Sequence, residues 1–487
     1  MIYLKDILHG IPVTEMVGNL DLRITQVCFD SRKAQPGALF VAVQGQQVNG
    51  SLFIDEAIST GAVAVMTEQM PAEPLEHVTY LVVGDAAFSL GVAAANFYDN
   101  PSKQLKLVGV TGTNGKTTVV TLLHHLFNEL GYRCGLLSTV ENRIGNEVVE
   151  ATHTTPDPVQ LNRLLAEMVE DGCDYCFMEV SSHAVVQQRI AGLVFAGGIF
   201  TNISHDHLDF HGNFDHYIKA KQTFFDGLGR FAFALYNVDD KNGRIMMQNT
   251  FAHQKSYGLK NLADFKVKVL ETHFDGTLMQ FDGQELWVNL VGDFNAYNLL
   301  AVYGAAVLLE QEIEKVVTAL SAIKGAEGRF DILISEQGVV GIVDYAHTPD
   351  AVKNVLETIN KLVKGDEQVI TVLGCGGDRD KTKRPEMASI AVRHSDKVIL
   401  TSDNPRTEDP SAIIRDMEAG VPSVDRKKVF SITDRYEAIR AACHLAQKGD
   451  VVLIAGKGHE KYQEVNGVRL KFDDKEILAQ AFTEQNG

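Results

Sequence analysis

The stretch Thr111-Gly-Thr-Asn-Gly-Lys-Thr-Thr118 has the residue types and spacing that most directly suggest chemistry. It follows the apolar run 105–110 and runs straight into the helix-like Val119-Val-Thr-Leu-Leu-His-His-Leu-Phe127. A strand, a glycine turn and a helix N-terminus thus fall in line, where free backbone N–H groups and the helix dipole attract anions. Lys116 can reach the β- and γ-phosphates of a nucleotide, and the Thr117 hydroxyl can take a place on Mg²⁺. Strict G-x-x-x-x-G-K-[ST] spacing asks for glycine at 110, where Val110 stands, with Gly109 and Gly112 on either side. A plain strand-to-helix turn is the simpler alternative. The expectation adopted is ATP or GTP.

Other chemistry-bearing groups follow apolar runs in the same way. Glu179 ends Tyr175-Cys-Phe-Met-Glu-Val180, and His207 lies just past 197–202. If those strands are neighbours, a carboxylate, an imidazole and the Thr117 hydroxyl gather at one sheet edge as a site for Mg²⁺ or Mn²⁺. Taken singly, Glu179 could instead pair with Arg189, and the histidines could form a solvated loop. In Tyr217-Ile-Lys-Ala-Lys221 the two lysines point about 200° apart on a helix, so at most one faces the site. Asp344, in Asp344-Tyr-Ala-His347, could hold a ribose hydroxyl, with His347 on the base edge, or could cap a helix. Arg379, Arg406 and Glu460 close three further strands. Two guanidiniums and a carboxylate suit a zwitterionic amino acid, because guanidinium forks pair with carboxylates; local surface ion pairs are the alternative.

These groups need a scaffold, and the chain is long enough to build one. Its 487 residues suggest about three domains of ~150 residues. The formal charge of −18 argues against an electrostatic grip on nucleic acid or anionic membrane. The first ten residues lack the pattern of a signal peptide, and no run reaches the ~18 apolar residues of a membrane span. Six cysteines are too sparse for a disulfide framework, and Cys173 and Cys176 read as reduced core thiols. The chain therefore reads as cytoplasmic.

Segments 38–43, 62–66 and 80–83 look like buried strands, joined by one helical stretch and followed by a linker at Asn100-Pro101. From 105 onward, strands at 105–110, 175–180 and 197–202 alternate with helices at 116–130 and 158–171, which implies a parallel sheet covered on both faces. Residues 255–292 break that rhythm and add an antiparallel piece. Strands at 338–344, 368–373, 397–400 and 450–455 then begin a second, Rossmann-like unit. The expected fold class is α/β in three domains: a small N-terminal α/β unit (1–102), a central P-loop-type parallel-sheet ATPase unit (103–328) and a C-terminal Rossmann-like unit (329–487).

Over nearly its full length the chain resembles the Mur ligases. The resemblance is carried by residues 111–118, Glu179-Val-Ser-Ser-His183, 202–212, Phe294-Asn-Ala-Tyr-Asn298, Gly328-Arg-Phe330 and Asp344-Tyr-Ala-His-Thr-Pro349. Asp30-Ser-Arg32, Thr154-Thr-Pro156 and Asp403-Asn-Pro-Arg406 are similar to the branch that joins a diamino acid to UDP-N-acetylmuramoyl-L-alanyl-D-glutamate in peptidoglycan synthesis. The resemblance implies ATP on Gly112, Thr113, Asn114, Gly115, Lys116, Thr117, Thr118, Asn298, Arg329 and Asp344. It makes Lys116, Glu179, His207 and Lys221 catalytic, with Lys221 carbamylated so that the former cation can bind metal. Two Mg²⁺ sites then share Thr117, Glu179, His207 and the Lys221 carbamate.

It further implies uridine on Ser31, Gln46 and Gln47, and the muramoyl-peptide on Thr154, Thr155, Ser181, Gln187 and Arg189. His153 departs from the asparagine often found there. The diamino acid falls to Arg379, Asp403, Asn404, Pro405, Arg406, Gly456 and Glu460, with meso-diaminopimelate preferred over L-lysine, whose terminal ammonium would meet two guanidiniums. The implied reaction passes through an acyl phosphate, in a monomer acting on small molecules. The rival readings are a folylpolyglutamate-synthase-like ligase and a non-catalytic nucleotide switch or UDP-sugar-binding regulator.

Overall fold

The computed structural model describes residues 2–45, 48–151 and 153–484, so Gln46 and Gln47 lie outside the described residues. At its centre is an eight-stranded sheet in the order Glu147–Val149, Asn142–Ile144, Cys134–Leu137, Tyr175–Glu179, Lys106–Thr111, Gly197–Phe200, Phe233–Asn237 and His253–Tyr257. The last six are parallel to one another; Asn142–Ile144 and Glu147–Val149 form an antiparallel hairpin at one edge. Tyr175–Glu179 and Gly197–Phe200 flank the phosphate-loop strand Lys106–Thr111 from opposite sides. Their residues are buried throughout because helices cover both faces. One face packs Val119, Leu122 and Phe127 of helix Lys116–Glu129 against Leu299 and Leu300 of helix Asp293–Leu308. The other packs Leu161 and Leu165 of helix Pro158–Glu170 and Phe224 of helix Phe214–Asp226. Asp157 fixes where helix Pro158–Glu170 begins, accepting the N–H groups of Val159 and Gln160, with Pro158 at the first helical position.

The expected antiparallel piece is present as Val267–His273, Gly276–Phe281 and Gln284–Val288, but it starts later than residue 255. Residues 255–257 belong to the parallel edge strand His253–Tyr257, whose exposed first residues hide it from an apolar pattern.

The N-terminal sheet has five strands, in the order Val13–Val17, Thr79–Val83, Ala62–Thr67, Ala38–Val41 and Gln26–Cys28. Two of these were not expected: Val13–Val17 is largely exposed and antiparallel, and Gln26–Cys28 is three residues long. Helices Ile54–Thr60 and Ala86–Phe97 stand where one helical stretch was expected. The second packs tightly on the central unit: a Cβ on Gly91 would lie 2.7 Å from the Ala191 Cβ. Asn100-Pro101 is not a loose connector. Asn100 adopts φ 50°, Pro101 and Ser102 are buried, and Ser102 Oγ accepts the Val194 N–H at 3.0 Å.

The third sheet runs Asp331–Ile334, Val340–Asp344, Val451–Ala455, Val369–Cys375, Lys397–Ser402 and Val429–Ser431, parallel except for its first strand. Its third, fourth and fifth strands in that order are the ones that lead into the residues assigned to an amino acid. The six cysteines are all buried and unbridged, and burial pushes the Cys176 thiol well above its ordinary range. Among the described residues no helix is long and apolar enough to cross a membrane.

Candidate active site

The phosphate loop is shaped by what surrounds its glycines. Gly112 has φ 155°, and a Cβ there would lie 1.9 Å from Thr201 Oγ1. Gly115, the N-cap of helix Lys116–Glu129, has φ 87°, and a Cβ would lie 2.6 Å from Asn298 Oδ1. Asn202 stitches the loop to the next strand end, its carbonyl taking the Thr113 N–H at 2.8 Å and its Oδ1 the Asn114 N–H at 3.0 Å. Thr113 Oγ1 also meets the Tyr217 hydroxyl at 3.0 Å. The loop borders a cavity of about 1010 Å³ whose walls include Asn114, Gly115, Thr118, Asn298, Arg329 and Asp344.

Behind the loop the expected catalytic groups come together. Lys116 Nζ donates to the carbonyls of Gly112 and Thr113 at 3.0 and 2.9 Å, and Lys221 Nζ donates to the same Gly112 carbonyl at 2.8 Å. Burial lowers the pKa of both amines, and Lys116 pushes that of Lys221 down further. Lys221 also sits 4.7 Å from the Tyr217 ring centroid. Lys219, two residues earlier, is exposed and pairs with Asp226 at 3.3 Å. Thr117 Oγ1 donates to Glu179 Oε1 at 2.8 Å, and the Thr139 N–H donates to that same oxygen at 2.8 Å. Glu179 Oε2 is buried and has no hydrogen-bond partner. Glu179 is thus not the partner of Arg189. His207 adopts φ 54°, lies 3.4 Å from Asp206 and stacks edge-on against His183. Burial lowers its pKa, and Lys116 and Lys221 add to that.

An unpartnered buried carboxylate oxygen beside a hydroxyl is a donor pair that suits a hard cation such as Mg²⁺. Among the described residues no three His, Cys, Asp or Glu side chains form a metal cage. A metal here would depend largely on phosphate oxygens and water, as Mg²⁺ commonly does.

From the C-terminal unit, Arg329 Nη2 donates to Thr117 Oγ1 at 3.1 Å while its guanidinium lies 4.4 Å from the Tyr345 ring centroid. Asn114 Nδ2 donates to Asp350 Oδ2 at 3.3 Å. Asp344 does not cap a helix: Thr348 caps helix Pro349–Leu362. Both Asp344 oxygens accept backbone N–H groups at 2.7 Å, from Phe330 and Ala346, which ties the Arg329 turn to the strand end. Burial raises its carboxyl to about 6, against the pull of Arg329. His347 lines the cavity and is pushed down to about 4, chiefly by burial.

On the other side of Glu179, the residues assigned to the muramoyl-peptide form one network. Thr155 Oγ1 donates to the Glu179 carbonyl at 2.8 Å and accepts the Ser181 N–H at 3.1 Å. Arg189 donates to the Thr155 carbonyl at 2.6 Å and to Gln187 Oε1 at 2.9 Å. Thr154 accepts from Thr139 at 3.0 Å. Ser31 stands apart on the N-terminal unit, donating to Glu56.

In the C-terminal pocket, Arg406 (φ 51°) donates to the Gly377 carbonyl at 2.7 Å and faces Glu464 at 3.8 Å. A Cβ on Gly376 would meet Arg406 Nη1 at 3.0 Å and Arg379 Cγ at 3.8 Å, so the two arginines flank one glycine. A Cβ on Gly377 would lie 1.9 Å from the Pro405 carbonyl oxygen, and one on Gly456 would lie 2.6 Å from Asp403 Oδ2. Asn404 Nδ2 donates to Glu460 Oε2 at 2.7 Å. Sequence reasoning missed three buried cations here. Arg384 pairs with Glu408 and Asp416 and donates to the Gly376 carbonyl; Arg435 pairs with Asp474; Lys457 pairs with Glu460. It also missed Asp206 beside His207. Lys457 had a signal, a lone lysine between two glycines after a buried strand; Arg384 and Arg435 lie in ordinary helical sequence.

Three larger sheets, of five, eight and six strands, carry these groups, and sequence matches place this architecture in a ligase family. Residues 23–101, 110–306 and 328–458 match the profiles of, in turn, "Mur ligase family, catalytic domain", "Mur ligase middle domain" and "Mur ligase, glutamate ligase domain". The chain belongs to the Mur ligase family. Among its relatives is the UDP-N-acetylmuramoyl-L-alanyl-D-glutamate–2,6-diaminopimelate ligase of Cytophaga hutchinsonii, 57% identical over 476 residues, 98% of each chain. The ligase of the same name from Bacteroides fragilis is 54% identical over 480 residues, 99% of each chain. A solved structure of a ligase of that name superposes with a TM-score of 0.70 at 34% identity, covering 100% of this chain and 99% of the other.

Proposed function

We propose that the chain is an ATP-dependent ligase that joins meso-diaminopimelate to UDP-N-acetylmuramoyl-L-alanyl-D-glutamate, as a cytoplasmic monomer. One observation carries this reading. Arg329 bonds Thr117, Thr117 bonds Glu179, and the Glu179 carbonyl takes the Thr155 hydroxyl, so an unbroken path links the nucleotide residues to the peptide residues.

In this reading, residues 1–102 hold the UDP-sugar, 103–328 hold ATP and 329–487 hold the diamino acid. The γ-carboxylate of D-glutamate attacks the γ-phosphorus of ATP, giving an acyl phosphate and ADP. The amine of diaminopimelate then attacks the acyl carbon and releases phosphate. Lys116 and Arg329 offset charge on the transferring oxygens, and the glycine loop positions them. Thr117, Glu179, His207 and a carbamylated Lys221 would hold Mg²⁺, at two sites; the metal neutralises phosphate charge when bound. Lys221 suits carbamylation because its burial and the neighbouring Lys116 favour the neutral amine, which adds to CO₂ and releases one proton. Arg379 and Arg406 take the distal carboxylate of the diamino acid, with Glu460 at its ammonium.

Phosphate release from ATP tests the reading: it should require both UDP-muramoyl-dipeptide and diaminopimelate. Equal release without them would end the ligase proposal. Incorporation of labelled L-lysine as fast as meso-diaminopimelate would end the acceptor assignment alone.

A further inference from the structure

The C-terminal pocket contains a charge to which the proposed reaction gives no role. Lys457 is fully buried. Its Nζ donates to Asn404 Oδ1 at 3.0 Å and to Glu460 Oε2 at 3.2 Å, and lies 5.5 Å from the Tyr462 ring centroid. Asn404 Oδ1 also accepts the Glu464 N–H at 2.9 Å, so both of its lone pairs are engaged. The amide therefore has one orientation, with Nδ2 turned to Glu460 Oε2 at 2.7 Å. The other Glu460 oxygen accepts from the Tyr345 hydroxyl at 3.4 Å.

The nearby Arg435 acts on Asp403 and Glu460 through its field, but its hydrogen bonds go elsewhere. Its guanidinium is committed to Asp474 at 2.8 and 2.7 Å and to the carbonyls of Ser402 and Ala455. Among the described residues, Lys457 is the one cation within ion-pair distance of Glu460.

We propose that Lys457 is a positioning residue for the diamino acid, a resident counter-ion that orients Asn404 and Glu460 toward the substrate. Its charge offsets the mutual repulsion of Asp403 and Glu460 and so favours an ionised Glu460 facing an incoming ammonium. This rests on the diamino-acid reading above. Burial and the neighbouring Asp403 push the Glu460 carboxyl upward, while Lys457 and Asn404 pull it back. Without Lys457 the carboxyl stays protonated to higher pH, and its grip on an ammonium weakens as pH falls.

The test is steady-state kinetics of the full-length enzyme with varied diaminopimelate and saturating ATP, across pH, for the wild type, Lys457→Met and Lys457→Gln. The KM for diaminopimelate should rise about tenfold or more in Lys457→Met at neutral pH and recover toward the wild-type value as pH rises. The KM for ATP should stay level. Lys457→Gln retains a donor to Asn404 without the charge, so it should show the same pH slope with a smaller rise. Glu460→Gln combined with either variant should abolish the slope. An unchanged KM for diaminopimelate, or a loss uniform in both substrates and flat with pH, overturns the proposal. If the wild type itself fails to incorporate diaminopimelate, the functional reading falls instead.

Discussion

The two ends of the cleft differ in how their charged groups are met, although the C-terminal pocket also holds buried polar atoms without partners, Arg384 Nε and His459 Nδ1. At the phosphate loop, buried polar atoms are left without partners: Glu179 Oε2 and Arg329 Nε. Two lysines crowd one carbonyl there. In the C-terminal pocket, Lys457, Asn404 and Glu460 close on one another and Arg435 is locked to Asp474, so these groups meet one another before any ligand binds. The first end is completed by what binds it. On the proposed reading, the second would select its ligand by a shape and charge already set. Substitutions at the first should therefore act on turnover, and at the second on stability and on KM for one substrate.

The largest expected effect is at the loop. Lys116→Met should lower kcat about 10³-fold or more if, as proposed, the group offsets charge that develops on the transferring phosphoryl oxygens. Circular dichroism should show an intact fold. A fall in folding rather than turnover would move Lys116 to the structural side of the comparison.

Next comes the buried pair beneath the other end. Arg435 and Asp474 are both 0% exposed, and Asp474→Ala leaves an uncompensated guanidinium under the strand ends of Ser402 and Ala455. The expected loss is about 3–5 kcal/mol in denaturant unfolding. Replacing both partners by apolar residues should recover most of it. If the single and double variants were equally unstable, packing rather than charge would explain the pair.

Lys221→Ala should cost about 10²–10³-fold in kcat with little change in stability. The wild type, stripped of CO₂ in mild acid, should lose activity and regain it with bicarbonate. Because burial depresses the amine's pKa, the neutral form that adds CO₂ is available at lower pH than for an ordinary lysine, so bicarbonate should restore activity at neutral pH. Recovery independent of bicarbonate would remove the carbamate from the mechanism.

What the sequence made legible follows the same division. The phosphate loop, Glu179 and His207 were readable because glycines, a lysine and hydroxyls at strand ends form local patterns, and the parallel sheet brings strand ends together. Arg384 and Arg435 were not, because their significance lies in partners 24 to 39 residues away. The exposed Val13–Val17 strand was missed because half-solvated edge strands lack a continuous apolar run. Asp344 was open to a capping role from its position alone; only the structure shows both oxygens spent on the N–H groups of Phe330 and Ala346.

Arg406→Ala is the smaller test of the pocket. A guanidinium that pairs with a substrate carboxylate contributes about 2 kcal/mol, so KM for diaminopimelate should rise about 30-fold and KM for ATP should not move. L-lysine should become a relatively better substrate, since a repelling cation has been removed. Equal changes in both KM values would place Arg406 in the closure of the cleft rather than in recognition.

The smallest effect should come from Lys219, which shares a helix with Lys221. Its side chain is 60% exposed and its partner Asp226 is 24% exposed, so the pair contributes at most a few tenths of a kcal/mol in screened solvent. Lys219→Ala should leave kcat, both KM values and the bicarbonate response within twofold of wild type. The two lysines differ by one i,i+2 step, which on a helix turns the side chain from the buried site to water. A tenfold loss at Lys219 would mean that the face of helix Phe214–Asp226 presented to the nucleotide has been misjudged, and the assignment of Lys221 would fall with it.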